Sequence, residues 1–169
     1  MKTLIVVDMQ NDFINGALGT PEAVAIVPKV KKKIEEYRAR GDQIIFTRDT
    51  HFDDYLETLE GQHLPVKHCV KNTYGWELAD GIDIYEDDFW INKYQFGVPD
   101  WLVAPIKDDI EMVGLCSDIC VIANAINLKT QCREREVTVD ASCCAGTTPE
   151  NHKAALQVMK SCQINVIGE

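Results

Sequence analysis

The sequence lacks several features that would assign a class of function at once. No apolar run approaches the length of a membrane span, and the stretch Met1–Val7 is too short, and too soon followed by an acid, to be a secretion signal. Neither the glycine-rich dinucleotide motif nor a P-loop lysine follows any predicted strand. Basic residues are also few, 17 against 27 acidic residues, for a net charge of −10. We therefore expect no membrane anchor, no nucleotide site and no nucleic acid partner, since phosphate binding needs basic clusters.

The composition is that of an ordinary globular protein. With 169 residues, of which 46% are hydrophobic, the chain is expected to form a single domain spanning residues 1–169 with a full apolar core. Seven cysteines without a secretion signal indicate a reducing, cytoplasmic environment, in which structural disulfides are not expected.

Short apolar runs rich in β-branched residues alternate with helical patterns along the chain. The predicted strands are Thr3–Val7, Gln43–Thr47, Phe89–Asn92, Glu111–Leu115, Val137–Val139 and Ile164–Ile167. The predicted helices are Glu22–Arg38, Asp100–Ile106, Asp118–Gln131 and Pro149–Ser161. Continuous apolar runs are typical of strands covered on both faces. The alternation predicts an α/β fold, a doubly wound and mostly parallel sheet of about six strands with helices on both faces.

The segment around Cys120 is the most informative. A strand-like run, Ile110–Leu115, leads directly into Ser117 and Asp118, a typical helix start. Cys120 would then lie in the first turn of a helix at the carboxyl end of a strand, where the helix dipole favours a thiolate and where open α/β sheets bind ligands. This placement indicates a nucleophile. The alternative is a small buried packing residue, which is the common role of free cysteine.

Two further reactive side chains are predicted at the same sheet edge. Asp8 ends the first predicted strand, and Lys93 ends the third. An acid, an ammonium and a thiol brought together could form a covalent hydrolase, in which Asp8 moves the proton and Lys93 stabilises the anions. Each residue also has an ordinary structural alternative when it is considered alone. Asp8 could simply form part of a turn, and Lys93 could be a charged residue at the surface.

A candidate metal site follows the second predicted strand. Asp49 and His51 are two residues apart, so in extended backbone both side chains point to the same face. His68 could supply a third ligand from the loop that follows. Two imidazoles and a carboxylate form a known catalytic metal set, although by spacing alone the pattern is more often part of a polar loop.

Taken together, these motifs resemble those of the isochorismatase-like cysteine hydrolases, and within them the nicotinamidase/pyrazinamidase branch. The matching segments occur in family order over almost the whole chain: Val7–Phe13, Thr47–His51, Leu64–Val70, Lys93–Phe96 and Gly114–Val121.

The resemblance implies a catalytic apparatus for cleaving a linear carboxamide C–N bond. Its triad would be Asp8, Lys93 and Cys120, and a cis peptide bond would join Leu115 to Cys116. The backbone N–H groups of Cys116 and Cys120 would form the oxyanion hole. The implied reaction is the conversion of nicotinamide to nicotinate and ammonia, within NAD metabolism.

The resemblance also implies a cofactor, namely one divalent metal ion held by Asp49, His51 and His68. Zinc is expected first, with iron and manganese as alternatives, since the ligand set accepts several divalent ions.

The implied substrate pocket departs from the family pattern at one position. Phe13 matches an aromatic wall of the pocket, but Leu64 stands where nicotinamidases commonly carry an aromatic residue. Trp90 or Tyr94 would be candidates to supply the missing aromatic contact.

Three other interpretations stay open at this point. The chain could hydrolyse another small amide or a ureido compound, or it could be a catalytically silent metal-binding or interaction protein. A redox role for Cys116 and Cys120 is weaker, because their spacing across a strand–helix corner suits a disulfide poorly. Homo-oligomers are common among such folds, but the sequence does not fix a number of subunits.

Overall fold

All six strands of the sheet pair in parallel. A computed structural model describes residues 1–169. Its strands are β1 (Thr3–Val7), β2 (Gln43–Asp49), β3 (Phe89–Lys93), β4 (Ile110–Leu115), β5 (Val137–Ala145) and β6 (Asn165–Ile167). They are arranged in the order β3-β2-β1-β4-β5-β6, so that the chain starts in the middle of the sheet and winds outward in both directions. This confirms the predicted doubly wound α/β fold.

Helices cover both faces of the sheet. They are α1 (Asn11–Ile14), α2 (Pro21–Ala39), α3 (Leu59–His63), α4 (Ile122–Gln131) and α5 (Pro149–Ser161). The two longest begin in the same way, because a threonine hydroxyl caps the first turn and a proline follows it: Thr20 before α2 and Thr148 before α5. None of the helices is both long and apolar enough to cross a lipid bilayer.

Alternation along the strands divides the core into two layers. Leu4 and Val6 of β1 pack in the layer that contains α2, whereas Ile5 and Val7 pack in the layer that contains α4 and α5. This two-sided burial explains why the strands are continuous apolar runs in the sequence.

Away from the segment around Cys120, two of the predicted elements differ clearly from the structure. The predicted helix Asp100–Ile106 is wrong, since only a single 3₁₀ turn, Trp101–Val103, forms there. Prolines at 99 and 105 bracket this segment, and two of its apolar residues face solvent, so it has neither the length nor the apolar stripe of a helix. The predicted strand Val137–Val139 is too short, because β5 continues to Ala145 alongside the end of β4.

Gly114 allows β1 and β4 to lie side by side just before the site described next. Its φ is +120°, and a Cβ built on it would overlap the carbonyl group of Val7 on the neighbouring strand. Only glycine satisfies both conditions. The carboxyl ends of β1 and β4 are thereby held in register, with Asp8 following one and Cys116 the other.

Candidate active site

Four strands end at the same edge of the sheet, and each delivers one reactive side chain there. Asp8 follows β1 in a left-handed backbone conformation with a φ of +47°, Asp49 ends β2, and Lys93 ends β3. Cys120 comes from the turn after β4. All four residues are buried, so the sheet topology alone brings three charged groups and a thiol together inside the protein.

The ammonium group of Lys93 lies at the centre of this cluster. Its Nζ is 2.7 Å from Asp8 Oδ2 and donates a hydrogen bond of 3.1 Å to Asp49 Oδ1. It also donates to Cys120 Sγ at 3.4 Å and to the carbonyl of Gln95 at 3.2 Å. Lys93 therefore contacts both carboxylates and the thiol at once, and it compensates charge that would otherwise be isolated away from water.

Burial and charge shift the proton affinities in this cluster in different directions. Burial alone would lower the pKa of Lys93, but Asp8, Cys120 and Asp49 together raise it well above its usual value, so the side chain is an ammonium. Burial raises the pKa of Asp8 in spite of the opposing charge of Lys93. It also raises the pKa of Cys120, against the same lysine. The thiol of Cys120 is consequently neutral at rest, rather than the thiolate that the sequence suggests, and it would need a base to act as a nucleophile.

Asp8 has the position and the hydrogen bonding of such a base. One carboxylate oxygen, Oδ1, accepts a hydrogen bond of 2.6 Å from the hydroxyl of Thr47. The other, Oδ2, is the oxygen nearest to Lys93 and accepts no well-aligned hydrogen bond, although it is fully buried. An aspartate with a raised pKa and a free lone pair can accept a proton from a thiol.

The turn that carries Cys120 differs from the predicted helix start. Residues Ser117–Val121 form a π-helical turn, and α4 begins only at Ile122. The cis peptide bond implied by the family resemblance is present between Leu115 and Cys116. The carbonyl of Cys116 accepts hydrogen bonds from Ile119 N–H at 3.1 Å and Val121 N–H at 3.0 Å, whereas the N–H of Cys116 has no acceptor within the chain.

A second cluster, of potential metal ligands, shares Asp49 with the first. Asp49, His51, Glu60 and His68 place four ligand atoms within 4.8 Å of one another. Asp49 Oδ2 lies 2.9 Å from His51 Nε2 and 3.5 Å from His68 Nε2, while its other oxygen binds Lys93. Burial alone would raise the pKa of Asp49, but His51, His68 and Lys93 lower it strongly, so it is a carboxylate.

Sequence analysis missed Glu60. This residue lies in the first turn of α3, which is five residues long, and its Oε1 is 3.6 Å from His51 Nε2. Such a short helix has no apolar periodicity, and the only local signal is Thr58, whose hydroxyl caps the helix by accepting the Gly61 N–H.

The donor set suits a divalent metal ion. The Nδ1 of His68 lies 2.8 Å from the carbonyl of Val66, an arrangement that assigns the ring proton to Nδ1 and directs Nε2 toward the cluster. Two imidazole nitrogens and two carboxylate oxygens, all from buried or half-buried residues, match the preferences of zinc and similar ions.

A cavity of about 360 Å³ opens onto both clusters. It is lined by Phe13, Leu18, Thr20, Asp49, Glu60, Leu64, His68, Phe96, Cys116, Ile119, Cys120 and Thr147. Phe13, singled out from the sequence, is part of this wall, and its ring centre lies 5.5 Å from that of His68. Phe96 is a second aromatic wall, which sequence analysis missed although it lies in one of the matching segments.

Trp90 and Tyr94, the other two predicted substrate contacts, do not line the cavity. Trp90 is on the opposite face of β3 from Lys93, because side chains alternate along a strand, and it is half exposed beside Arg48 and Tyr85. Tyr94 stacks on the ring of Phe52 at 5.9 Å and is also half exposed. The structure therefore offers Phe96, and neither of these two residues, as the aromatic partner of Phe13.

Comparisons with known proteins find similar chains over almost the whole length of this one. A sequence model of the isochorismatase domain matches residues 2–168. The nicotinamidase of Saccharomyces cerevisiae is 27% identical, over 99% of both chains. The solved structure of the pyrazinamidase of Pyrococcus horikoshii in complex with zinc is 30% identical, with a TM-score of 0.83 and 99% of each chain covered. That of the N-carbamoylsarcosine amidase of Thermoplasma acidophilum is 29% identical, with a TM-score of 0.81, covering 98% of this chain and 95% of the other.

Proposed function

The chain belongs to the isochorismatase family of hydrolases, as its motifs indicated, and from this membership and the geometry of the site we propose that it is an amidohydrolase that converts nicotinamide to nicotinate and ammonia. One observation supports the proposal above all others. The buried Lys93 contacts Asp8, Asp49 and Cys120, and the last two line a cavity that has two aromatic walls, Phe13 and Phe96. A flat aromatic amide fits between such walls, with its carboxamide next to the thiol.

In the proposed reaction, Cys120 Sγ attacks the carboxamide carbon while its proton passes to Asp8 Oδ2. The negative charge that develops on the carboxamide oxygen is stabilised by the N–H groups of Cys116 and Cys120, and loss of one such donor typically costs about 3 kcal/mol of barrier. Asp8 then returns the proton to the amide nitrogen as the C–N bond breaks, and ammonia leaves behind an acyl-thioester on Cys120.

Water completes the cycle. Asp8, again a carboxylate, accepts a proton from a water molecule that attacks the thioester carbon. The C–S bond breaks, nicotinate is formed, and the proton returns to the sulfur of Cys120. Lys93 stays charged throughout, and its positive charge lowers the free energy of each anion that forms beside it.

The metal ligands would be Asp49, His51, Glu60 and His68, with zinc as the first expectation and iron or manganese as alternatives. A divalent ion held there would supply a Lewis acid and a positive charge at the wall of the cavity. Asp49 itself has a further task, since its second oxygen binds Lys93 and holds the ammonium between Asp8 and Cys120.

Glu60→Gln is expected to weaken metal binding, because it removes one of two anionic ligands while preserving size. Removing a residue that only hydrogen-bonds to a metal ligand typically lowers metal affinity roughly 10- to 100-fold. Removing a ligand itself should lower the affinity by more. Metal content after dialysis against graded chelator concentrations measures it, with Glu57→Gln, an exposed acid on the preceding turn, as the control. A Glu60→Gln variant that kept metal as tightly as the parent would exclude Glu60 as a ligand.

Purified protein is expected to release ammonia from nicotinamide, and to lose this activity after chelation and regain it when zinc is added. The physical reason is that chelation would remove the cation beside Glu60 and would leave Asp49 with Lys93 alone to compensate its charge. A coupled ammonia assay makes the measurement. If metal-loaded protein left nicotinamide unchanged, the proposed substrate would be wrong.

A ureido substrate is the second candidate, favoured by the similarity to an N-carbamoylsarcosine amidase. That substrate carries a carboxylate, however, and no arginine or lysine lines the cavity of this chain, whereas Asp49 and Glu60 do. We therefore expect turnover of nicotinamide and pyrazinamide to exceed that of N-carbamoylsarcosine in a parallel assay. No turnover of any of the three would favour the remaining alternative, a catalytically silent metal-binding protein.

A further inference from the structure

The turn that carries Cys120 is held to the C-terminal helix by a partly buried side-chain contact. Ser117, the residue after Cys116, is fully buried, and its Oγ lies 2.8 Å from Nδ1 of His152 on α5. The hydroxyl of Ser117 has no other partner. Burial lowers the pKa of His152, so its ring is neutral at neutral pH and Nδ1 can accept the hydroxyl proton.

His152 is a well-anchored partner for this contact. Its backbone N–H donates a hydrogen bond of 2.9 Å to the carbonyl of Thr148, the residue that caps α5. The imidazole therefore projects from the first turn of a rigid 13-residue helix, not from a loop. Because the helix is rigid, the imidazole can fix the position of Ser117, whereas a residue on a mobile segment could not.

The next residue of the turn makes a parallel connection. Asp118 accepts hydrogen bonds from the backbone N–H of Thr147 at 2.8 Å and from its hydroxyl at 2.5 Å. Thr147 lines the cavity, directly before the helix that carries His152. Two consecutive side chains, Ser117 and Asp118, thus attach the turn to the segment Thr147–His152.

We propose that His152 is a positioning residue for amide hydrolysis, which through Ser117 fixes the backbone N–H of Cys116 relative to the sulfur of Cys120. The inference rests on the proposed function, in which this N–H is an oxyanion donor. The carbonyl side of Cys116 is already held by the N–H groups of Ile119 and Val121. Ser117 is bonded to that same carbonyl group, so its contact with His152 holds the end of this peptide unit, and without His152 its hydroxyl would be buried and unpaired.

His152→Leu tests this proposal, with His152→Asn as the rescue, because the asparagine amide group can take the place of Nδ1. Since small misplacements of catalytic groups can cost about 100-fold, we expect kcat of His152→Leu to fall roughly 10- to 100-fold, with KM and metal content close to the parent values. His152→Asn should recover most of kcat. Gln157→Leu, on the exposed face of the same helix, is the matched control and should leave kcat unchanged.

A merely structural role would give a different pattern. His152→Leu would then lower the melting temperature but leave kcat within about twofold, and His152→Asn would bring no recovery; either result overturns the proposal. If His152→Leu does not fold, Ser117→Ala removes the other partner with little change in volume and should lower kcat in the same way. In the double variant the two effects should not add, since both remove one contact.

The proposal can be separated from the choice of substrate by acylation of Cys120 with an activated ester. Attack of the sulfur on p-nitrophenyl acetate forms an oxyanion and releases p-nitrophenolate, so the rate of the p-nitrophenolate burst needs no amide substrate. We expect this rate to fall in His152→Leu and to recover in His152→Asn, even if nicotinamide proves to be the wrong amide. Equal acylation rates in the parent and in both variants would refute the positioning role.

Discussion

Cys120→Ala is expected to abolish amide hydrolysis while leaving the fold and the metal content intact. No other thiol can replace Cys120, because it alone contacts Lys93 and opens onto the cavity beside Asp8. By analogy with other nucleophile deletions, the loss in kcat should be at least about 10⁴-fold. The change in free energy of unfolding should be small, about 1 kcal/mol, because only one buried sulfur atom is removed.

The control for Cys120→Ala is Cys162→Ala. Cys162 is an exposed free thiol that follows the last turn of α5 and does not line the cavity, so its removal should not change activity. Steady-state ammonia release measures both variants, and thermal unfolding checks that both are folded. Normal turnover by Cys120→Ala would exclude the acyl-thioester mechanism.

Lys93→Met is expected to be the most destabilising single substitution at the site. Methionine preserves much of the volume of lysine, but it leaves Asp8 and Asp49 as neighbouring buried carboxylates without the ammonium between them. Removing one partner of a buried ion pair typically costs about 3–5 kcal/mol. Activity should disappear as well, since the base and the nucleophile lose the group that holds them together.

The loss of stability in Lys93→Met should depend on pH. Burial already raises the pKa of Asp8, and without Lys93 only the hydrogen bond from Thr47 opposes that rise. A carboxyl group whose pKa is higher in the folded than in the unfolded state binds its proton more tightly when folded, so it stabilises the fold at low pH and loses this contribution as the pH rises. The deficit relative to the parent should therefore be larger at pH 8 than at pH 5.

Urea unfolding at both pH values makes this measurement. Lys153→Met is the matched control, because Lys153 is exposed on α5 and makes no ion pair. A deficit that was equal at both pH values would show that the cost of Lys93→Met comes from packing rather than from the unpaired carboxylates.

Much of the catalytic cluster could be located from the sequence because it lies at strand ends. The strands β1 and β3 are short apolar runs, and Asp8 and Lys93 are the charged residues that end them. In a parallel sheet the carboxyl ends meet at one edge, so the position of a residue along the chain predicts its neighbours in space. The same reasoning places Asp49 and Cys120 beside them.

The other residues of the site lie on irregular backbone, where the positions of strand ends do not predict which side chains are neighbours. Glu60 is in a short helix inside a long loop, and Phe96 lies three residues beyond the end of β3, where strand alternation no longer predicts direction. Alternation did apply to Trp90, and it places that side chain on the face opposite Lys93. Cys120 lies in a π-helical turn instead of the expected start of a regular helix. The sequence did not predict this difference, because the residue patterns of the two helix types look alike over a single turn.

The two oxygens of Asp49 would make the proposed metal site and the proposed triad thermodynamically dependent on each other. One oxygen lies among the potential metal ligands and the other binds the lysine that contacts the nucleophile, so neither site can change occupancy without altering the charge that the other experiences. Such coupling is reciprocal: if loading the metal changes how readily Cys120 accepts an acyl group, acylation must change metal affinity by the same factor. Metal affinity measured on protein acylated at Cys120 would then report directly on catalytic coupling, without a turnover assay.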